Sequence, residues 1–153
     1  MSISKMKSSQ NCIDIIKHYE GFRGKAYLCP ANVWTIGYGH TEGVKKGMVI
    51  TESDAVALLY KDLVVYENII KRHVKVSLTQ AQFDALVCFV YNVGEGNFKS
   101  STLLKKLNAS NYKDVPEQFL RWTKAAGKEL AGLVKRRKTE AKLFESGKVL
   151  FKL

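Results

Sequence analysis

A chain of 153 residues with 46% hydrophobic residues and only 2 prolines has enough apolar side chains to bury a core, which excludes a disordered chain and a disulfide-built miniprotein. Its 25 Lys and Arg against 14 Asp and Glu leave a net charge of +11, a sign that favours polyanionic partners but names none. Cys12, Cys29 and Cys88 are odd in number and lack zinc-ligand spacing, which argues against a complete disulfide framework or a cysteine metal site and fits reduced thiols made in the cytoplasm.

The N-terminal "MSISKMKSSQNCIDIIKHYE" is interrupted by polar residues every few positions, so neither a signal peptide nor a membrane anchor is expected. Within it Cys12, Ile15, Ile16 and Tyr19 share one helical face, with Ser9 as the N-cap and Gly21 and Gly24 allowing the helix to stop. This predicts a helix over 9–20. Between residues 25 and 50 short aromatic and β-branched pieces are split by Pro30, Gly37, Gly39, Gly43 and Gly47, the pattern of small strands and turns. In "VWTIGYGH" strand alternation puts Thr35, Gly37 and Gly39 on one face and Trp34, Ile36, Tyr38 and His40 on the other.

Thr51 then caps a long helix with the stripe Val56, Leu59, Leu63, Tyr66 and Ile70. "LTQAQFDALVCFVYNVGEG" opens with the capping box Thr79-x-x-Gln82 and reads as a buried helix ending near Gly94. "DVPEQFLRW" carries an Asp114-x-x-Glu117 cap signal. Leu130, Leu133, Val134, Arg137, Ala141 and Phe144 mark a last helix that Gly147 stops. The elements predict an α+β, mostly helical fold in a single domain over 1–153. A β lobe at 25–50 is joined by the long helix to a helical lobe at 75–153, on which the N-terminal helix packs.

Three residues stand out for chemistry. Glu20 extends the apolar stripe of the first helix by one turn and sits at the negative end of its dipole, where desolvation and dipole both penalise the ionised form, as suits a general acid; the plainer reading is a solvated helix-end glutamate. The strand face bearing Thr35 has almost no other side chains, so a bulky flat substrate can approach its backbone, with Thr35 as the one hydroxyl. A glycine-rich turn explains the same pattern. Cys29 follows Glu20 by nine residues and precedes Thr35 by six.

"EGFRGKAY", "WTIGYGHT", "LTQAQFDALVCFVYNVGEGNFKSSTLLKKLN", Trp122 and "GLVKRRKTEAKLF", in that order, resemble the phage endolysins of the lambdoid and T-even lysozyme type, glycoside hydrolase family 24. The resemblance implies a two-lobed lysozyme fold that needs no cofactor or metal. It also implies hydrolysis of the β-1,4 bond between N-acetylmuramic acid and N-acetylglucosamine in peptidoglycan. The family's catalytic group is Glu, then usually Asp nine residues on, then Thr six further, which places Glu20, Cys29 and Thr35 in those roles. It further suggests Gly37, Gly39, Phe98 and Ser101 along the sugar cleft and a structural pair of His40 with Asp62. Such an enzyme acts as a monomer. It waits in the host cytoplasm, without a stable membrane anchor, until a holin-type membrane-permeabilising protein gives it access to the periplasm and wall.

Cysteine in the usual Asp position is the departure. A glycosidase of this kind pairs a protonated carboxyl with a second, anionic carboxylate, and a free thiol near pKa ~8.5 is mostly neutral at pH 7 unless neighbours favour the thiolate. Lys25, Arg136 and Arg137 are the candidate neighbours. The plainer reading of Cys29 is a small buried residue with no role, against which its registration with Glu20 and Thr35 favours the catalytic one; Cys12 and Cys88 lie in apolar runs and read as core. The run Lys135 to Lys138 fits either a phosphate-binding cluster or a solvated helix face with one arginine turned in. Two alternatives to a hydrolase remain at this level: a lytic transglycosylase on the same bond, or a non-catalytic basic module for wall or nucleic acid. Nucleic acid is not expected as a partner, because positive charges are scattered and most aromatics fall on core-like stripes.

Overall fold

The computed structural model describes residues 2–151. Its elements run α1 (Gln10–Glu20), β1 (Arg23–Leu28), β2 (Trp34–Gly37), α2 (Glu52–His73), α3 (Gln80–Val93), α4 (Glu95–Lys99), α5 (Thr102–Asn108), α6 (Val115–Phe119), β3 (Lys124–Ala125), β4 (Lys128–Glu129) and α7 (Ala131–Ser146). The fold is α+β and mostly helical, as expected, with two small antiparallel sheets.

At the centre lies α3, whose residues 83–90 are all buried. Its start is fixed by the expected capping box, Thr79 and Gln82 each closing on the other's backbone N–H, which satisfies two orphan donors at once. Phe89 alone meets Phe98, Phe119 and Trp122 edge to face. Burying each such ring stabilises by roughly 1.5–3 kcal/mol, and Phe89→Ala would cost about 3–5 kcal/mol. Helices α1, α2 and α7 all pack on α3. Thr51 caps α2 through a second capping box with Asp54, and Gly147, at φ 76°, ends α7 in the left-handed conformation.

Two expected caps are not formed. Ser9 precedes α1, but its side chain does not cap the helix; its N–H and hydroxyl both go to the Asp84 carboxylate on α3. A buried acceptor competes successfully with the helix's own N–H groups, and Ser8 N–H is likewise taken by Glu67 of α2. Asp114 makes no cap either. It lies in helical backbone conformation, with Pro116 in the first turn of α6, and a cap residue needs an extended one.

Strands β1 and β2 pair with Tyr27 opposite Thr35 and Leu28 opposite Trp34, and Lys25 bridges to Val49. The alternation expected through His40 stops at Gly37. Ile36 and His40 exchange both backbone hydrogen bonds at 2.9 Å, so Gly37, Tyr38 and Gly39 form a tight loop that positive φ at both glycines permits. The β3–β4 hairpin, turning at Ala126 and Gly127, has no counterpart among the predicted elements; strands of two residues are too short to show a period.

Candidate active site

Cys29 leaves β1 and enters a turn in which its N–H donates to the Val33 carbonyl at 3.0 Å and its carbonyl accepts from Asn32 N–H at 2.8 Å. Asn32 takes φ 62°, which asparagine tolerates. The backbone N–H groups of Val33 and then Ala31 hold the Cys29 thiol below its ordinary value, opposed by partial desolvation. The side chain remains partly exposed. The expected cations are not the cause. Lys25 is exposed, and Arg136 and Arg137 are committed elsewhere.

Thr35 is buried on β2, and its Oγ1 donates to the Val33 carbonyl at 2.9 Å. It thus anchors the same turn that supports Cys29. Directly across the sheet is Tyr27, whose ring lies 4.3 Å from the Arg23 guanidinium.

Glu20 ends α1, and Oε2 accepts from Arg136 Nη1 at 2.9 Å. On its other side is the Gly37–Gly39 loop, so close that a Cβ on Gly39 would stand 2.9 Å from Oε1. Only glycine allows that approach. The loop is itself pinned by Tyr91 of α3, whose hydroxyl donates to the Tyr38 carbonyl at 2.5 Å, and by Tyr38, which donates to Glu52 at 2.8 Å. Desolvation, then the charges of Glu20 and Asp62, push the Tyr91 phenol far up, so it stays a donor.

Arg136 belongs to a buried ionic cluster. Its Nε reaches Glu140 at 3.2 Å and its Nη2 donates to the Cys88 carbonyl at 3.2 Å. Arg137 Nη1 reaches the other Glu140 oxygen at 2.5 Å. Burial would lower the Arg136 pKa, but Glu140 and Glu20 outweigh it and raise it. The expectation of one arginine turned inward is corrected: both are buried. Their i+4 and i+3 spacing to Glu140 was visible in the sequence, but the pairing with Glu20, 116 residues away, was not.

The remaining candidates divide. His40 Nδ1 is 2.8 Å from Asp62 Oδ2, and Nε2 is 2.8 Å from the Glu42 carbonyl, which ties the hairpin to α2. Gly37 is buried, and a Cβ there would stand 3.2 Å from the Ala55 methyl and 3.4 Å from Ile50 Cδ1. Phe98 and Ser101 do not line a cleft. Phe98 is 0% exposed among Phe89 and His73, and Ser101 is buried as the cap of α5, accepting from Leu104 N–H and donating to the Phe98 carbonyl. Neither offers surface to a ligand. Cys12 and Cys88 are buried with their sulfurs 3.3 Å apart.

Residues 17–140 match the family described as phage lysozyme. The endolysin of Acyrthosiphon pisum secondary endosymbiont phage 1 is 46% identical over 145 residues, covering 92% of this chain and 99% of that protein. Among solved structures, the muramidase domain of SpmX from Asticaccaulis excentricus aligns with a TM-score of 0.86 at 37% identity, covering 92% of this chain and 98% of the other. A point mutant of P22 lysozyme aligns with a TM-score of 0.80 at 39% identity, covering 92% and 99%.

Proposed function

Because the chain belongs to the phage lysozyme family, we infer that it is a peptidoglycan-hydrolysing endolysin, cutting the β-1,4 bond between N-acetylmuramic acid and N-acetylglucosamine. Glu20 is the general acid, Cys29 supplies the anion opposite it, and Thr35 positions the attacking water. One observation carries this assignment: the loop after the strand of Thr35 abuts the Glu20 carboxyl, while Thr35 and Cys29 share one turn.

In the reaction Glu20 delivers its proton to the glycosidic oxygen as the bond to the sugar breaks. Arg136 divides its charge between Glu20 and Glu140, so it orients the carboxyl without being devoted to it. On the sugar's other face, the Cys29 thiolate stabilises the positive charge that develops on the ring and takes the proton of the water. Its backbone donors do not reorganise when charge appears, which is how preorganised dipoles aid catalysis. Gly39 keeps a side chain off the face of the acid that meets the loop, a substrate-side role that Gly37 shares only through the backbone.

The enzyme works as a monomer. It accumulates in the host cytoplasm, a compartment that suits three free cysteines, and a separate holin-type protein opens its way to the wall. The charge of +11 then concentrates it on an anionic surface, an effect that salt weakens. Digesting purified peptidoglycan and weighing the products tests the reaction. Reducing muramic acid ends are expected, and anhydro ends would instead indicate a lytic transglycosylase. Expression without a permeabilising protein should leave cells intact, and lysis under those conditions would overturn the delivery route.

A further inference from the structure

Of the three residues in the Gly37–Tyr38–Gly39 loop, only Tyr38 has a side chain. Apart from the backbone, it is the one handle by which the rest of the molecule can grip the loop. Tyr38 is buried, its ring 5.9 Å from that of Phe22 and 5.6 Å from the Lys17 ammonium. Two helices hold its two ends. Tyr91 of α3 donates to the carbonyl, and the Tyr38 hydroxyl donates to Glu52 Oε2, 2.8 Å away on α2. A phenol, with a pKa of ~10 that burial and then Glu52 push higher here, keeps its proton at neutral pH. Glu52 is therefore the acceptor.

Glu52 is the first residue of α2 and lies between Thr51 and Asp54, whose capping box fixes where the helix begins. One turn on, Ala55 backs the same loop: a Cβ on Gly37 would stand 3.2 Å from its methyl. The start of α2 thus grips the loop twice, by contact at Gly37 and by a hydrogen bond at Tyr38. On the loop's other side Gly39 abuts Glu20 Oε1. Tyr38 and Gly39 share one planar peptide unit, so a tilt of the first is passed to the second rather than absorbed. Charge alone also accounts for a glutamate at this place, because an anion in the first turn complements the helix dipole. That role does not need the hydrogen bond to Tyr38.

We propose that Glu52 is a positioning residue for the reaction: through the Tyr38 hydroxyl it sets where the Gly39 backbone stands against Glu20, and so the direction in which the acid presents its proton. Glu52 is exposed and acts through one side chain and one peptide plane. Arg136 fixes the carboxyl from the α7 side, and the loop held by Glu52 fixes it from the other. When the hydroxyl is released the loop can shift and the acid turns with it, which lowers the rate of proton transfer and leaves binding of the glycan unchanged. The inference rests on the muramidase reading above, with Glu20 as the acid.

The test is steady-state kinetics on solubilised glycan strands with Glu52→Ala, Glu52→Gln, Tyr38→Phe and the double variant Glu52→Ala with Tyr38→Phe. Glu52→Ala should lower kcat about three- to tenfold with KM held, the size expected when one hydrogen bond that orients the acid is lost. Glu52→Gln removes the same charge but keeps an oxygen that accepts from the phenol, so its kcat should return to within about twofold of the wild type. The melting temperatures of these two variants should agree, since both lose the helix-end charge. Tyr38→Phe should match Glu52→Ala, and the double variant should fall no further, because one hydrogen bond can be lost only once. Glu52→Gln as slow as Glu52→Ala would reduce Glu52 to a helix charge and overturn the proposal. Losses that multiply in the double variant, a change confined to KM, or no loss in Glu52→Ala would overturn it as well. Glu52 is exposed, so its two variants decide the matter even if Tyr38→Phe fails to fold. Failure of the wild type to cut the strands would instead overturn the muramidase reading.

Discussion

Glu20 and Cys29 lie nine residues apart in the chain, yet they are held by opposite means. The acid depends on side chains brought from far away: Arg136 on one side, itself fixed by buried Glu140, and a loop pinned by Tyr91 on the other. The thiol depends on its own turn, where Val33 and Ala31 supply backbone N–H groups within a few residues and Thr35 fastens the Val33 carbonyl. An acid that must bind and release a proton is framed by adjustable charges, whereas a group needed as an anion is framed by fixed backbone dipoles.

Removing the acid breaks the comparison most severely. Glu20→Gln keeps the shape and loses the transferable proton, so turnover of purified peptidoglycan should fall ~10²–10⁴-fold while the melting temperature moves little. Residual activity above a tenth would remove Glu20 from the acid role. Next comes the support of that half. Glu140→Ala leaves two buried guanidiniums short of their carboxylate, and urea unfolding should show about 3–5 kcal/mol of lost stability. A loss below 1 kcal/mol would mean that the cluster is already hydrated.

The thiol half should respond differently. Cys29→Ala and Cys29→Ser should each lose about 10²-fold, while Cys29→Asp keeps or raises activity, because the same N–H groups can hold a carboxylate. The wild-type rate should rise with pH through a value below that of an ordinary thiol, since the anion predominates above the lowered pKa. The Asp variant should lack that rise. An active Cys29→Ala would make the thiol a bystander and leave the reaction to Glu20 and water on Thr35.

Gly39→Ala sharpens the contrast from the other side. Its Cβ would crowd Glu20 Oε1 at a positive φ, so activity should drop roughly tenfold or more through misplacement of the acid, with the thiol's pH profile unchanged. The smallest effect lies away from both halves. His73 and then Arg72 hold the Glu95 carboxyl below its ordinary value. Its contribution is therefore present above the unfolded glutamate pKa and lost as pH falls through the folded one. Melting temperatures of Glu95→Gln against the wild type should differ slightly at pH 6 and converge toward pH 3.

Local rules were legible in the sequence where they had no rival. The cap at Thr51, the box at Thr79 and the glycine at 147 stand where local sequence rules place them. They failed where a distant partner intervened. Ser9 was drawn off its helix by Asp84, 75 residues on, and Asp114 was denied a cap by its own backbone. The motif Glu20, Cys29 and Thr35 was visible as a spacing, but the donors that tune Cys29 are backbone groups, which every residue carries and no pattern marks. Phe98 and Ser101 were assigned to the cleft by resemblance and are buried, because the loop and helix start that carry them fold inward over Phe89.

The 116 residues between Glu20 and Arg136 also separate them in time. At ~5–20 residues per second, a ribosome that has made α1 needs on the order of ten seconds to reach α7. Until then the carboxyl has no guanidinium beside it, and α3 has no last helix to pack against. The unfinished chain holds its acid, its thiol and its threonine within the first 35 residues but lacks the clamp that arranges them. Translation thus acts as a delay: each molecule becomes a lysozyme only once α7 has been made.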